Sequence, residues 1–167
     1  MNTKQCTKCK DVKLLSEFGT ASGTKKDGHN SWCKQCCRKV SRAHSRTPSG
    51  IYSTTKGSVN YYKNTTVEIP RKDFITWYNL QPKHCVYCNI PELDLKHMGN
   101  YYFDKCDRLT VDRMDNSIGY RNDNIVLSCY RCNMTKGDVF SFDEMVEIGH
   151  KYLESKWRAN KEREEQS

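Results

Sequence analysis

The chain has 167 residues, ten cysteines and only 36% hydrophobic residues, with a formal net charge of +8. This length suits one ordinary domain or two very small ones, and the low hydrophobic content excludes a large apolar core. No run of about 18 apolar residues is present, so the sequence predicts no membrane-spanning segment. Small domains that lack a core are usually held together by metals or disulfides.

Eight of the ten cysteines form four pairs with C-x-x-C spacing. A disulfide scaffold is the competing interpretation, but it is typical of secreted chains with an apolar signal peptide, and the first residues here are polar. C-x-x-C pairs in an intracellular chain usually bind zinc, so we expect a cytoplasmic protein with two structural zinc sites. Cys37 is an alternative to Cys36 as a ligand, and Cys106 is left over. The predicted ligands are Cys6, Cys9, Cys33 and Cys36 for one zinc ion, and Cys85, Cys88, Cys129 and Cys132 for the other.

The basic charge favours a nucleic-acid partner without establishing it. Metal ligands must be deprotonated, so each zinc ion bound by four thiolates contributes a charge of about −2, and two such sites lower the balance to about +4. A surface that is charged only for solubility has a similar balance.

The sequence of the first 66 residues predicts a zinc-bound unit that is followed by a linker. Residues 1–40 form a predicted zinc ribbon, because two cysteine pairs flank a loop rich in Gly, Ser, Thr and Lys. Residues 41–66 are predicted as a basic linker with a short helix. This segment either follows a phosphate backbone or is simply solvated.

The sequence predicts a second domain with helices and a hairpin at residues 67–160. It predicts a frayed tail at residues 161–167. Apolar spacing, turn residues and a capping box indicate the elements. In chain order they are a strand at Val67–Ile69, a helix at Pro70–Leu80, a strand at Tyr101–Phe103, a hairpin of Leu109–Arg113 and Asn124–Ser128, a helix from about Cys132, and a helix from Ser141 to about Asn160 with Met145, Ile148, Tyr152 and Leu153 buried.

The hairpin carries polar side chains suited to a second kind of metal. A zinc ion held by four cysteines has no open position for water, so it is structural. Asp112 lies in the predicted hairpin, and Asn133 directly follows the last cysteine. A carboxylate and an amide oxygen form a sparse set of hard ligands. Such a set suits Mg²⁺ or Mn²⁺, which retain several waters and bind phosphate oxygens.

These motifs together resemble a known family. The run contains Cys85-x-x-Cys88, then Asp112-Arg-Met-Asp-Asn, then Asn124, and finally Cys-x-x-Cys-Asn-x-x-Lys ending at Lys136. It is similar to the HNH endonucleases with a ββα-metal fold, in the zinc-knuckle branch found in bacteriophage proteins. The similarity spans residues 83–138. It implies a small, zinc-stabilised α+β protein, in which a ββα-metal unit has an N-terminal zinc ribbon and a C-terminal helix.

The resemblance also implies roles. Asp112 and Asn133 match the ligands of the catalytic cation, Asn124 matches the residue that shapes the loop, and Lys136 is placed to approach a phosphate. The implied function is metal-dependent DNA cleavage, with DNA as partner, a phage or host protein as an open further partner, and the bacterial host cytoplasm as location if a phage encodes the chain. The alternative is a catalytically inactive zinc-dependent module that binds DNA or serves phage assembly.

Arg113 departs from the family pattern, because most members have the general-base histidine there. Arginine stays protonated in proteins and accepts no proton. Three explanations are open. Arg113 clamps the scissile phosphate while metal-bound water supplies the nucleophile, or the base is Asp115, His97 or His84, or the site is inactive. Asp115 also has a simple alternative role as a turn cap.

Overall fold

The computed structural model describes residues 2–21, 27–62, 65–98 and 107–166. The chain divides into two compact units, Met1–Thr47 and Pro48–Ser167. The division falls inside the segment predicted as a linker. That segment is largely helical, because one helix continues to Ser45 and the next begins at Pro48.

The first unit consists of two small hairpins and one helix. Its strands pair as β1 with β2 and β3 with β4, both antiparallel. Its buried core contains only Cys6, Phe18 and Cys33 among the described residues. Such a core is too small to fold a unit without a metal. The elements are β1 at Thr3–Gln5, β2 at Val12–Leu14, a 3-10 turn at Leu15–Glu17, β3 at Phe18–Thr20, β4 at His29–Cys33 and α1 at Lys34–Ser45.

The second unit begins with two helices. Helix α2 spans Pro48–Tyr62, and its first residue has the fixed φ that suits a helix start. Ile51 and Val59 are buried on its inner face. Helix α3 spans Arg71–Leu80, which confirms the predicted helix, with Pro70 as the residue that precedes its first turn.

The ββα unit follows a 3-10 helix at Glu92–Met98. Strands β5 (Thr110–Arg113) and β6 (Ile125–Ser128) form the predicted antiparallel hairpin, in which Asp112 lies opposite Val126. Helix α4 spans Tyr130–Lys136. It begins before the predicted start, because the sulfur of Cys129 accepts a hydrogen bond from the Cys132 amide and caps the helix. The predicted strand at Val67–Ile69 is reduced to one bridge between Val67 and Tyr120, and the one at Tyr101–Phe103 lies outside the described residues.

The C-terminal region is helical from Phe142 to Glu165. Helix α5 (Phe142–Ile148) passes through a π-helical turn (Gly149–Glu154) into helix α6 (Ser155–Glu165). The capping box of Ser141 and Glu144 is confirmed.

The buried face predicted for this helix is only partly correct. Met145 is buried, but Tyr152 is 52% exposed and Trp157, which the prediction omitted, is 3% exposed. The wider π turn takes Tyr152, which lies within it, and Trp157, which follows it, out of the 3.6-residue pattern. The helix also extends past 160 into the predicted tail, where Lys161 Nζ lies 2.9 Å from Asp94 Oδ2.

The main core joins α2, α3, the hairpin, α4 and the C-terminal helix around one cysteine cluster. The chain is thus a small α+β protein with a cysteine cluster in each unit. No helix in the described ranges has the length and apolar character needed to cross a membrane.

Candidate active site

Four cysteine sulfurs meet at the centre of the second unit. Cys85, Cys88, Cys129 and Cys132 are buried, and their sulfurs lie within 4.8 Å of one another. The sulfurs of Cys88 and Cys129 are 3.9 Å apart, far beyond a disulfide bond of about 2.05 Å. Tetrahedral zinc with Zn–S bonds of about 2.3 Å spaces its sulfurs by about 3.8 Å. The cluster therefore has dimensions that suit zinc.

Each half of this cluster is formed by local backbone geometry. The Cys85 carbonyl accepts from the Asn89 amide at 3.0 Å, and Asn89 has the left-handed φ of 57° that closes the turn. The other pair lies at the N-terminus of α4, where a helix dipole favours thiolate. Burial opposes ionisation of Cys85, but hydrogen bonds from neighbouring thiols outweigh it and lower the pKa of Cys85. Hydrogen bonds to Cys129 and Cys85 raise the pKa of Cys132. The four sulfurs can therefore all be thiolates at once only when a bound cation neutralises their charge.

The cluster of the first unit has a similar construction but is more open. The sulfurs of Cys6, Cys9, Cys33 and Cys36 also lie within 4.8 Å of one another, and Cys9 and Cys36 are only half-buried. The structure thus places Cys36 in the cluster. Cys37 instead points its sulfur toward the Trp32 carbonyl, at 3.9 Å.

Asp112 is a buried carboxylate with defined partners. Its side chain is in the core, and the residue is only 7% exposed. Its Oδ2 accepts a hydrogen bond of 2.8 Å from the Tyr87 hydroxyl, and its Oδ1 accepts one of 2.8 Å from the Arg113 amide. Burial raises the pKa of Asp112, and the nearby charge of Lys136 opposes that rise. Each carboxylate oxygen has a second lone pair, which leaves this side chain able to coordinate a cation.

The hydrogen bonds of Asn133 define which way its amide points. The hydroxyl of Thr110 donates to the Ser128 carbonyl at 3.0 Å, so its lone pairs act as acceptors. Asn133 Nδ2 donates to this hydroxyl at 3.1 Å and to the Val111 carbonyl at 3.5 Å. The amide nitrogen is thus directed to the strand. The carbonyl oxygen Oδ1 remains as the atom that can bind a cation.

Asp112 and Asn133 belong to the same contact between strand and helix. Alternate side chains of a strand share a face, so Thr110, which contacts Asn133, points to the same side as Asp112. Lys136, one turn after Asn133 on α4, reaches to 3.9 Å from Asp112 Oδ2. The donor set of one carboxylate and one amide oxygen fits Mg²⁺ or Mn²⁺.

A cleft opens beside Asn133. It has a volume of about 250 Å³ and lies between α2, the hairpin and α4. Hydroxyl groups and one cation contribute to its wall, including Thr55, Ser58, Arg108 and Tyr130. Apolar side chains, including Ile51, Val111 and Met134, form the rest of the wall.

Asn124 and Arg113 organise the loop between the two strands. Asn124 Oδ1 accepts from the Asp115 amide at 2.9 Å, and its Nδ2 donates to the Asp115 and Gly119 carbonyls. Arg113 Nη1 donates to the carbonyls of Asn116 and Ile118, and to the hydroxyl of Thr65. Neither side chain is a cation ligand in this arrangement, because the polar atoms of Asn124 bind backbone groups and a guanidinium has no acceptor atom.

The three alternative bases have other contacts. Asp115 accepts from the amide and hydroxyl of Ser117, at 2.8 and 2.6 Å, and these bonds lower its pKa. It therefore caps the turn and is a weak base. The His84 ring faces the Cys85 carbonyl at 3.3 Å. His97 is buried beside Asp94, with Nε2 3.8 Å from its carboxylate.

Two contacts of the site could not be predicted from the sequence. Lys136 was expected to approach a phosphate, but it is fully buried and donates to Asn116 Oδ1 at 3.0 Å. Tyr87 lies inside the first C-x-x-C motif of the second unit, where its neighbours in sequence give no sign of a site residue. Its contact with Asp112 joins residues 25 positions apart, and no local pattern reports such a pairing.

Comparison with known proteins supports this fold. A solved structure of the rare-cutting HNH restriction endonuclease PacI is similar to this chain, with a TM-score of 0.57 and 24% identity over 94% of this chain and 97% of that one. No family model and no curated protein matches the sequence. The fold of an HNH nuclease, expected from the cysteine pairs and the hairpin, is thereby confirmed.

Proposed function

We propose that the chain is a metal-dependent DNA endonuclease of the HNH type. The observation that carries this proposal is the pair of Asp112 and Asn133 on one strand–helix contact, with the amide of Asn133 oriented by Thr110. The nuclease fold supports it. Asp112 and Asn133 would hold Mg²⁺ or Mn²⁺, and the cation would supply Lewis acidity toward a phosphodiester and a water of lowered pKa.

The residues around the cation have separate tasks in this proposal. The cleft beside Asn133 receives the scissile phosphate, and Arg108 on its wall neutralises phosphate charge. Arg113 places a fixed positive charge next to Asp112, while its bonds to Asn116 and Ile118 keep the loop in place. Since Arg113 cannot accept a proton, no protein base is assigned.

Supercoiled plasmid with Mg²⁺ or Mn²⁺ tests the function. We expect the wild type to nick or linearise the plasmid. Loss of a cation that contributes several kcal/mol should slow Asp112→Ala and Asn133→Ala by at least about a hundredfold. Asp143→Ala removes an exposed carboxylate from the start of α5 and serves as the control. Equal cutting by wild type and Asp112→Ala would rule out the proposed site.

The second candidate is a zinc-dependent DNA-binding module without chemistry. The observation that favours it is the presence of Arg113, with its Nη1 hydrogen-bonded to the loop, at the position of the usual base. Such a module predicts no cutting by the wild type and equal or tighter DNA binding by Asp112→Ala, because an acidic group repels phosphate. Arg113→His separates the two candidates further. Gain of cutting indicates a weakened site, and loss of wild-type cutting indicates a specific task for the arginine.

A further inference from the structure

Tyr87 links the second cysteine cluster to the carboxylate of the candidate site. It is the third residue of the motif Cys85–Cys88, so a cluster ligand directly follows it and another lies two residues before it. Its side chain is fully buried, and its hydroxyl donates to Asp112 Oδ2 at 2.8 Å. A metal-bound segment and a candidate metal ligand are therefore joined by one hydrogen bond.

The surroundings of Tyr87 leave its ring little freedom. Its ring packs against that of Phe142, with centroids 5.6 Å apart. Its backbone carbonyl lies so close to Gly149 that a Cβ atom there would be 2.1 Å from the oxygen. The next carbonyl, of Cys88, accepts a hydrogen bond of 2.9 Å from the Trp157 indole. The C-terminal helix thus holds the cysteine turn, and the turn holds the hydroxyl.

A second group reaches the same oxygen from the other half of the cluster. Lys136 lies one turn after Cys132 on α4, and its Nζ is 3.9 Å from Asp112 Oδ2. Both groups approach Oδ2, whereas Oδ1 accepts only the amide of Arg113 among the described residues. The carboxylate is therefore oriented by elements that the four cysteines connect.

On the basis of the proposed cation role of Asp112, we propose that Tyr87 is a positioning residue that orients this carboxylate for the divalent cation, so that the zinc cluster supports the catalytic metal through one side chain. A ligand held in one orientation loses less conformational freedom when the cation binds. Hydrogen bonds to ligating carboxylates also favour their charged form. Loss of such a supporting contact typically weakens metal affinity by about 10–100-fold.

The test is a titration of the zinc-loaded full chain with Mn²⁺, in which electron paramagnetic resonance measures the concentration of unbound Mn²⁺. We compare the wild type with Tyr87→Phe, which removes only the hydroxyl. Tyr78→Phe is the matched control, because Tyr78 is buried in the same core. We expect Tyr87→Phe to weaken Mn²⁺ binding by about 10–100-fold, to raise the Mn²⁺ concentration for half-maximal plasmid cutting accordingly, and to keep two zinc ions per chain.

The outcomes separate this proposal from the function on which it rests. If Asp112→Ala binds Mn²⁺ as well as the wild type, the cation role itself is wrong. If Asp112→Ala loses Mn²⁺ but Tyr87→Phe binds it unchanged or more tightly, only the positioning role is overturned. Should Tyr87→Phe lose zinc, Phe142→Leu decides instead, because it loosens the ring and keeps every hydroxyl. We expect a smaller weakening of Mn²⁺ binding in that variant, and no weakening would overturn the proposal.

Discussion

The two cysteine clusters share one local construction but have different surroundings. In each, the amide of the first cysteine donates to the carbonyl five residues later, and the next amide donates to the carbonyl two residues before the third cysteine. The third cysteine then caps a helix. The matching pairs are Cys6–Asp11 with Cys85–Ile90, and Thr7–Ser31 with Val86–Leu127, at 2.9 to 3.0 Å.

The difference between the clusters lies in the third position of the first motif. In the first unit this residue is Lys8, which is exposed, with its ammonium over the Trp32 ring. In the second unit it is Tyr87, which is fully buried and bonded to Asp112. The same C-x-x-C motif can therefore form a cluster that only stabilises its unit, or a cluster that is also connected to a candidate active site. The third residue of the first motif, Lys8 in one cluster and Tyr87 in the other, distinguishes these two cases.

Removing a ligand from the second cluster should have the largest effect. Cys132→Ser should remove one of two zinc ions per chain and unfold the second unit, since structural zinc contributes about 10–16 kcal/mol in small zinc-binding peptides. Metal content by elemental analysis and thermal unfolding by circular dichroism measure this. Cys37→Ser is the control, because Cys37 lies outside both clusters, and it should retain both zinc ions.

Loss of a ligand in the first cluster should have a more limited effect. Cys9→Ser should also lower the zinc content by one ion, but the second unit has its own core and should keep its unfolding transition and its Mn²⁺ site. The same two measurements, with a Mn²⁺ titration, check this. Loss of the Mn²⁺ site in Cys9→Ser would contradict the contrast between the clusters.

A smaller effect is expected where the C-terminal helix touches the cysteine turn. Gly149→Ala places a Cβ against the Tyr87 carbonyl, so the turn or the helix must shift, at a cost of about 1–3 kcal/mol. Chemical denaturation measures the loss of stability, and weaker Mn²⁺ binding should accompany it. Gly57→Ala, in α2 with no atom near the new Cβ, is the control. It should raise stability by about 0.5–1 kcal/mol.

Removing the helix cap at Ser141 should have the smallest effect. Ser141→Ala removes the hydroxyl that accepts from the Glu144 amide and should cost about 1 kcal/mol of unfolding free energy. Because the described hydrogen bonds of Ser141 stay within its own helix, Mn²⁺ affinity should stay at the wild-type value. A shift in that affinity equal to the shift in Gly149→Ala would show that general stability, and not the position of Tyr87, governs the site.

Much of the architecture follows from local patterns in the sequence. Cysteine spacing predicted both clusters, including Cys36 in place of Cys37, because a C-x-x-C turn imposes its own geometry. The alternating residues of β5 and β6 and the capping box at Ser141 similarly predicted elements that the structure confirms. These features depend on neighbours within a few residues, which a sequence displays directly.

The remaining features depend on contacts between distant segments. The burial of Lys136 follows from its position between Asp112 and Asn116, and the contact of Tyr87 follows from how the first cysteine turn packs on β5. The exposure of Tyr152 follows from a π-helical turn, for which the apolar spacing gave no signal. Tertiary packing alone determines these arrangements, so no residue pattern announces them.

We propose that one carboxylate and one amide oxygen, held by the hairpin and helix that the second cysteine cluster connects, bind a divalent cation. Crystals of the zinc-loaded protein soaked in Mn²⁺ test it most directly, with anomalous scattering measured at the manganese and zinc edges. We predict zinc at both cysteine clusters, and manganese coordinated by Asp112 and by Oδ1 of Asn133. Manganese bound elsewhere, with Asp112 still contacting only protein atoms, would contradict the claim.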